Sequence, residues 1–118
     1  MPRLSTHVLD TATGRPAAGV ALVLSRLSDG RHRTIVGEFT TNADGRTDAP
    51  LMSGDTLETG LYEIAFHVGD YFRGQGVALP EPAFLDVVPI RFGIADPQGH
   101  YHVPLLVSPW SFSTYRGS

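Results

Sequence analysis

HYHVPLLVSPWSFSTYRGS, residues 100–118, reads as two β-strands on either side of a Ser108-Pro109 turn. Side chains alternate across a strand, so residue parity decides which of them share a face. Tyr101, Val103, Leu105 and Val107 make an apolar set that reads as a core face, while His100, His102, Pro104 and Leu106 fall on the other side. In the second run Ser111, Ser113, Tyr115 and Gly117 share a side, opposite Phe112 and Thr114. Filling a pleated, half-buried surface explains the apolar residues. It leaves His100, His102, Tyr115 and Arg116 unexplained.

Working outward from this stretch, runs of the same character recur between turn signals. They are LSTHVLD at 4–10, VALVLSRL at 20–27, RTIVGEFTT at 33–41, LYEIAFHV at 61–68 and FLDVVPIRFGI at 84–94. With the two closing runs this predicts about seven strands, the pattern of an all-β sandwich. Asp29-Gly30 reads as a tight hairpin turn, and Asp44-Gly45 and Asp96-Pro97-Gln98-Gly99 mark later boundaries. Pro89 lacks a ladder donor, which predicts an edge strand or a bulge. GDYFRGQ at 69–75 is the plausible helix, with Asp70 as its cap and Gly74 or Gly76 at its end.

At 118 residues the chain is expected to form a single domain with one core. All nine basic residues are arginine and there is no cysteine, so Schiff-base lysines, thiol nucleophiles, thiolate zinc sites and disulfides are excluded. Chemistry must come from His, Arg, Tyr, Ser and carboxylates. A net charge of -3 with scattered arginines argues against nucleic acid. No apolar run approaches the ~20 residues of a membrane helix, and MPRLSTHVLD lacks a signal's apolar core. The expectation is a soluble cytoplasmic protein, or a periplasmic one if a signal segment was removed.

Parity places Ser5, His7 and Leu9 together in the first strand, opposite Thr6, Val8 and Asp10. Three strands thus each offer polar groups on a non-core face that also carries Leu9, Pro104 and Leu106. A wet but partly apolar face suggests a subunit interface or channel. The alternative is a dimer surface with incidental histidines. Arg46 follows the Asp44-Gly45 turn, where a guanidinium can project from a strand end. His32 and His67 have no partner suggested by the pattern, and no role is assigned to them.

LSTHVLDTATGRPA from residue 4, TNADGR at 41–46 and HYHVPLLVSPWSFSTYRGS at 100–118 together resemble the transthyretin-like 5-hydroxyisourate hydrolases of purine degradation. The resemblance extends over essentially the whole chain, including GDYFRGQG at the short helix. The terminal Tyr-Arg-Gly-Ser is its most specific mark. It implies a transthyretin-like (prealbumin-like) β-sandwich of two four-stranded sheets with one short helix, assembled as a homotetramer whose dimer–dimer interface forms a channel. The implied reaction is hydrolysis of 5-hydroxyisourate to 2-oxo-4-hydroxy-4-carboxy-5-ureidoimidazoline.

Carried onto this chain, the implied catalytic residues are His7, Arg46 and His102, with Tyr115 and Ser118 joining His7 and Arg46 in binding substrate. Imidazole titrates near neutrality and can take a proton from attacking water. Guanidinium keeps its charge and can meet two acceptors at once. Either histidine could be the base. His100 precedes the position the family uses and is left out. No cofactor or metal is implied, because two histidines without a third ligand are short of a metal site. The competing reading is a small-molecule carrier binding in the same channel, as transthyretin does. The carrier has lysine in place of the first histidine, threonine in place of the second, and a different tail.

Overall fold

The computed structural model describes residues 1–29 and 31–117. The expected turn at Asp29-Gly30 involves Gly30, and the proposed terminal ligand is Ser118; both lie outside the described residues. Strands among the described residues are β1 (Arg3–Asp10), β2 (Arg15–Pro16), β3 (Ala21–Leu27), β4 (Arg33–Thr40), β5 (Met52–Ser53), β6 (Gly60–His67), β7 (Val87–Ile94), β8 (His100–Val107) and β9 (Phe112–Thr114), with one α-helix, α1 (Val68–Gly74), and a single 3-10 turn at Gly54–Thr56. Seven of these match the seven predicted runs. The two-residue β2 and β5 were not expected.

One sheet runs β2-β1-β8-β9 with β5 also on β1, and the other runs β4-β3-β6-β7. The two four-stranded sheets expected are therefore present, the first extended by the short β5. Alternation buries Leu4, Val8, Tyr101, Val103, Leu105 and Val107 of the first sheet against Leu22, Leu24, Ile64, Phe66 and Val88 of the second. β1 and β8 pair in parallel, Ser5 opposite His102 and His7 opposite Pro104. β7 is an edge strand, which accommodates Pro89.

The helix starts one residue earlier than predicted, and Asp70 does not cap it. The N-cap is His67, without a side-chain cap, and Asp70 lies in the first turn, where it pairs with Arg73 at 3.3 Å. Its end follows the expectation for Gly76, which sits at φ +83°. Gly76 N–H donates to the Arg73 carbonyl and Val77 N–H to that of Phe72. This paired closure is the Schellman motif. Tyr71 ties the helix to β1 by donating to the buried Asp10 carboxylate at 2.8 Å. Burial, reinforced by Asp10, pushes the Tyr71 phenol up to about 12.

β9 is shorter than the predicted 111–116 run, and Pro104 is the reason. The His102 carbonyl accepts from Gly117 N–H at 2.8 Å, on the β9 side. Backbone groups two residues apart face the same neighbour, so Pro104 also faces β9 but has no N–H to give. Pairing runs Val107 with Phe112, Leu106 with Ser113 and Leu105 with Thr114, then stops. It resumes in the same register as a single bridge between His102 and Gly117. Tyr115 and Arg116 are the residues left in the gap. The Pro104 carbonyl is satisfied by the Thr114 hydroxyl instead, at 2.7 Å.

Candidate active site

β2 and β5 occupy opposite ends of one edge of β1, pairing at Leu9 and Asp10 and at Arg3 and Leu4. The stretch between them is filled by the TNADGR loop. Val8 N–H donates to the Gly45 carbonyl at 2.8 Å, and His7 Nε2 lies 2.8 Å from the Asp44 carbonyl. A carbonyl only accepts, so that nitrogen carries the proton. The loop is wound on itself by Asn42, whose Oδ1 accepts from Asp44 N–H at 2.9 Å and Arg46 N–H at 3.2 Å. Arg46 is therefore carried on a loop pinned to β1, not at a strand end as the sequence suggested.

Gly45 makes this docking possible. Its φ is +76°, and a Cβ there would lie 2.4 Å from the Val8 carbonyl oxygen and 3.3 Å from the His7 ring. We predict that Gly45→Ala destabilises the protein by at least about 1–2 kcal/mol, the cost of the left-handed backbone alone. Chemical denaturation measures it. An unchanged midpoint would mean that the loop does not depend on this close approach.

His102 lies one strand away, half-buried as parity required, with Nδ1 2.9 Å from Ser5 Oγ. Burial holds its pKa below the ordinary imidazole range, and the charges of Arg46, His7 and Arg3 push it the same way. The ring is thus less readily protonated than a free imidazole. Arg46 and His7 thus both bear on this ring electrostatically.

Gly117 packs against the same ring, since a Cβ on it would come within 2.7 Å of His102 Cδ2. Arg116 lies over the Tyr101 ring at 4.2 Å and donates to the His100 carbonyl at 3.4 Å. Tyr115 is 59% exposed and shares an open depression of about 690 Å³ with His100, His102 and Arg116. A second cleft of about 210 Å³ joins Arg3, Ser5 and Arg46.

His102 and Tyr115 thus share one depression and Arg46 lines the other cleft, while His7, which lines neither, is joined to the Arg46 loop through the Asp44 carbonyl. His32 and His67 are elsewhere: His32 pairs with Asp29 at 2.9 Å, and His67 ends β6. Residues not singled out from sequence are Ser5, which holds His102, Arg3, which adds charge beside it, and Gly117, which clears space for its ring. Parity already put Ser5 and Gly117 on this face; Arg3 had no pattern to mark it.

A two-sheet sandwich of this strand order, with histidines on β1 and β8 and an arginine on the loop docked to β1, is a transthyretin-like protein. The chain belongs to the HIUase/Transthyretin family, which matches residues 4–117. A relative from Rhizobium meliloti named 5-hydroxyisourate hydrolase 2 is 61% identical over 116 residues, covering 98% of this chain and 96% of the relative. Among solved structures, (S)-allantoin synthase superposes with a TM-score of 0.93 at 50% identity, over 99% of this chain. This chain spans 44% of that longer one. Sea bream transthyretin, solved in complex with thyroxine, superposes at 0.85 with 30% identity, covering 98% of this chain and 94% of that one. No helix among the described residues is long and apolar enough to cross a membrane.

Proposed function

We propose that this protein hydrolyses 5-hydroxyisourate to 2-oxo-4-hydroxy-4-carboxy-5-ureidoimidazoline, a step of urate degradation, without metal or cofactor. The observation that carries this reading is the setting of His102. One nitrogen of its ring is engaged by Ser5, and burial with the neighbouring charge of Arg46 holds its pKa below the ordinary imidazole range. The name borne by a relative at 61% identity supplies the substrate.

His102 is the base in this reading. It takes a proton as water attacks a ring carbonyl; the new C–O bond forms, the ring C–N bond breaks, and the departing nitrogen receives a proton. Arg46 meets the negative charge that grows on the attacked oxygen. His7 spends its Nε2–H on the Asp44 carbonyl, so it acts chiefly by holding the Arg46 loop and the substrate beside it. Tyr115, released from the ladder by Pro104, contacts the ring of the substrate, and Ser118 is assigned to the same binding role. The half-buried Leu9 and Leu106 beside these groups support a homotetramer with its sites at the dimer–dimer interface.

Ultraviolet absorbance of freshly generated 5-hydroxyisourate tests the reading: its decay is expected to accelerate with purified protein. No acceleration, together with tight binding of a fluorescent channel ligand, would establish a carrier instead.

A further inference from the structure

Ser5 stands opposite His102 across the parallel β1–β8 ladder. Partners in register project to the same face, which brings hydroxyl and ring together. Slippage is blocked next door, where Thr6 Oγ1 donates to the Val103 carbonyl at 2.7 Å inside the core. Ser5 Oγ has one side-chain partner among the described residues, His102 Nδ1 at 2.9 Å.

We propose that Ser5 is a positioning residue for His102, its Oγ accepting the Nδ1–H so that the Nε2 lone pair is the proton acceptor. This deepens the hydrolase reading and rests on His102 being its base.

Distance alone does not set the direction of this bond, since a hydroxyl can give or take. The chemistry does. A ring that gains a proton at Nε2 becomes imidazolium, and its Nδ1–H bond to Oγ persists and strengthens because the donor is now charged. Were Ser5 the donor, Nε2 would already hold a proton, and the incoming one would have to break the Ser5 bond to reach Nδ1. A hydroxyl also orients without adding charge. A carboxylate at residue 5 would favour the imidazolium and oppose the lowered basicity that burial, Arg46, His7 and Arg3 impose.

A nucleophilic Ser5 fits less well. Ser5 is half-buried within β1, and as a nucleophile its hydroxyl would have to give its proton to His102 Nδ1, which then could not be the nitrogen that orients Nε2 as proton acceptor. Among the described residues, the titratable and charged groups around the ring are Arg3 and His7 on β1, Arg46 on its loop, and His100, Tyr115 and Arg116 on β8 and the tail. A substitution at residue 5 changes none of these residues themselves.

The test uses the full-length protein labelled with nitrogen-15. Long-range proton–nitrogen correlation at a pH where the ring is neutral is expected to show His102 protonated at Nδ1. The preference should be lost in Ser5→Ala and kept in Ser5→Thr. Kinetically, Ser5→Ala is expected to lower kcat about 10- to 100-fold, the range for orienting partners elsewhere, with little change in KM. Ser5→Thr should restore most of it, and Ser5→Asp should move the acidic limb of the pH profile upward.

A wild-type ring protonated at Nε2 would overturn the inference, as would undiminished kcat in Ser5→Ala. An ester adduct on Ser5 detected by mass spectrometry during turnover would overturn it too, by making the hydroxyl a nucleophile. If the wild-type protein does not accelerate hydrolysis at all, the hydrolase reading fails, while the nitrogen spectra still decide the tautomer.

Discussion

His102→Asn is expected to lower turnover of 5-hydroxyisourate by about 10²–10⁴-fold, the usual contribution of a positioned acid–base group. At 1.36 kcal/mol per tenfold, that is about 2.7–5.4 kcal/mol of barrier. Asparagine keeps a polar side chain near Ser5 but takes up no proton near neutrality, so the variant separates basicity from packing. The site tolerates the change structurally because the His102 backbone bond to Gly117 does not involve the ring. Unfolding midpoints close to wild type, with turnover lost, are the expected pair of results. Retained turnover would remove His102 from the base role and return it to His7.

The pH dependence follows from the same ring. Its pKa is held below the ordinary imidazole range by burial, then by Arg46, His7 and Arg3. The base is competent when neutral, so kcat/KM is fully expressed above that depressed pKa and lost as pH falls through it. The acidic limb should accordingly lie below that of free imidazole, and it should vanish in His102→Asn. Stability has the same sign: below the ordinary imidazole value the unfolded chain binds the proton more readily, so this group destabilises the fold as pH falls.

The long strands were legible because each is an apolar or alternating run closed by a turn signal, a property of neighbours in sequence. β2 and β5 were not, since Arg15–Pro16 and Met52–Ser53 are strands only by virtue of pairing with β1. The length of β9 was misread for a related reason. Nothing within 111–116 stops that strand; what stops it is the missing N–H of Pro104 on the neighbouring strand. Asp70 looked like a cap because its residue type suits one, yet the helix begins before it.

The site shows the same division. His102 and His7 could be placed on a non-core face from alternation alone. The docking of the Arg46 loop could not, because it joins His7 to the carbonyl of Asp44, 37 residues away, and a backbone acceptor leaves no mark in residue type. Gly45 hints at it, since glycine in a turn is common but one jammed against another strand's carbonyl is recognisable only in three dimensions. Ser5 was on the right face with no reason to be chosen until its hydroxyl was found beside Nδ1.

Arg46→Gln is the second large effect, with kcat expected to fall by about 10²–10³-fold, as when a donor aimed at developing charge is removed. Glutamine preserves a hydrogen-bonding end but carries no charge, and loop winding should survive because Asn42 holds it through backbone N–H groups. Arg46→Lys keeps the cation and loses the planar fork, so recovery of activity by lysine measures how much of the effect is charge and how much is two-point geometry. The charge also acts on His102, lowering its pKa. Arg46→Gln should therefore move the acidic limb of the pH profile upward, and Arg46→Lys should not. Loss of activity with an unmoved limb would mean that Arg46 serves substrate without touching the base; a moved limb with normal kcat would mean the reverse, and either result would divide the two roles assigned to this one side chain.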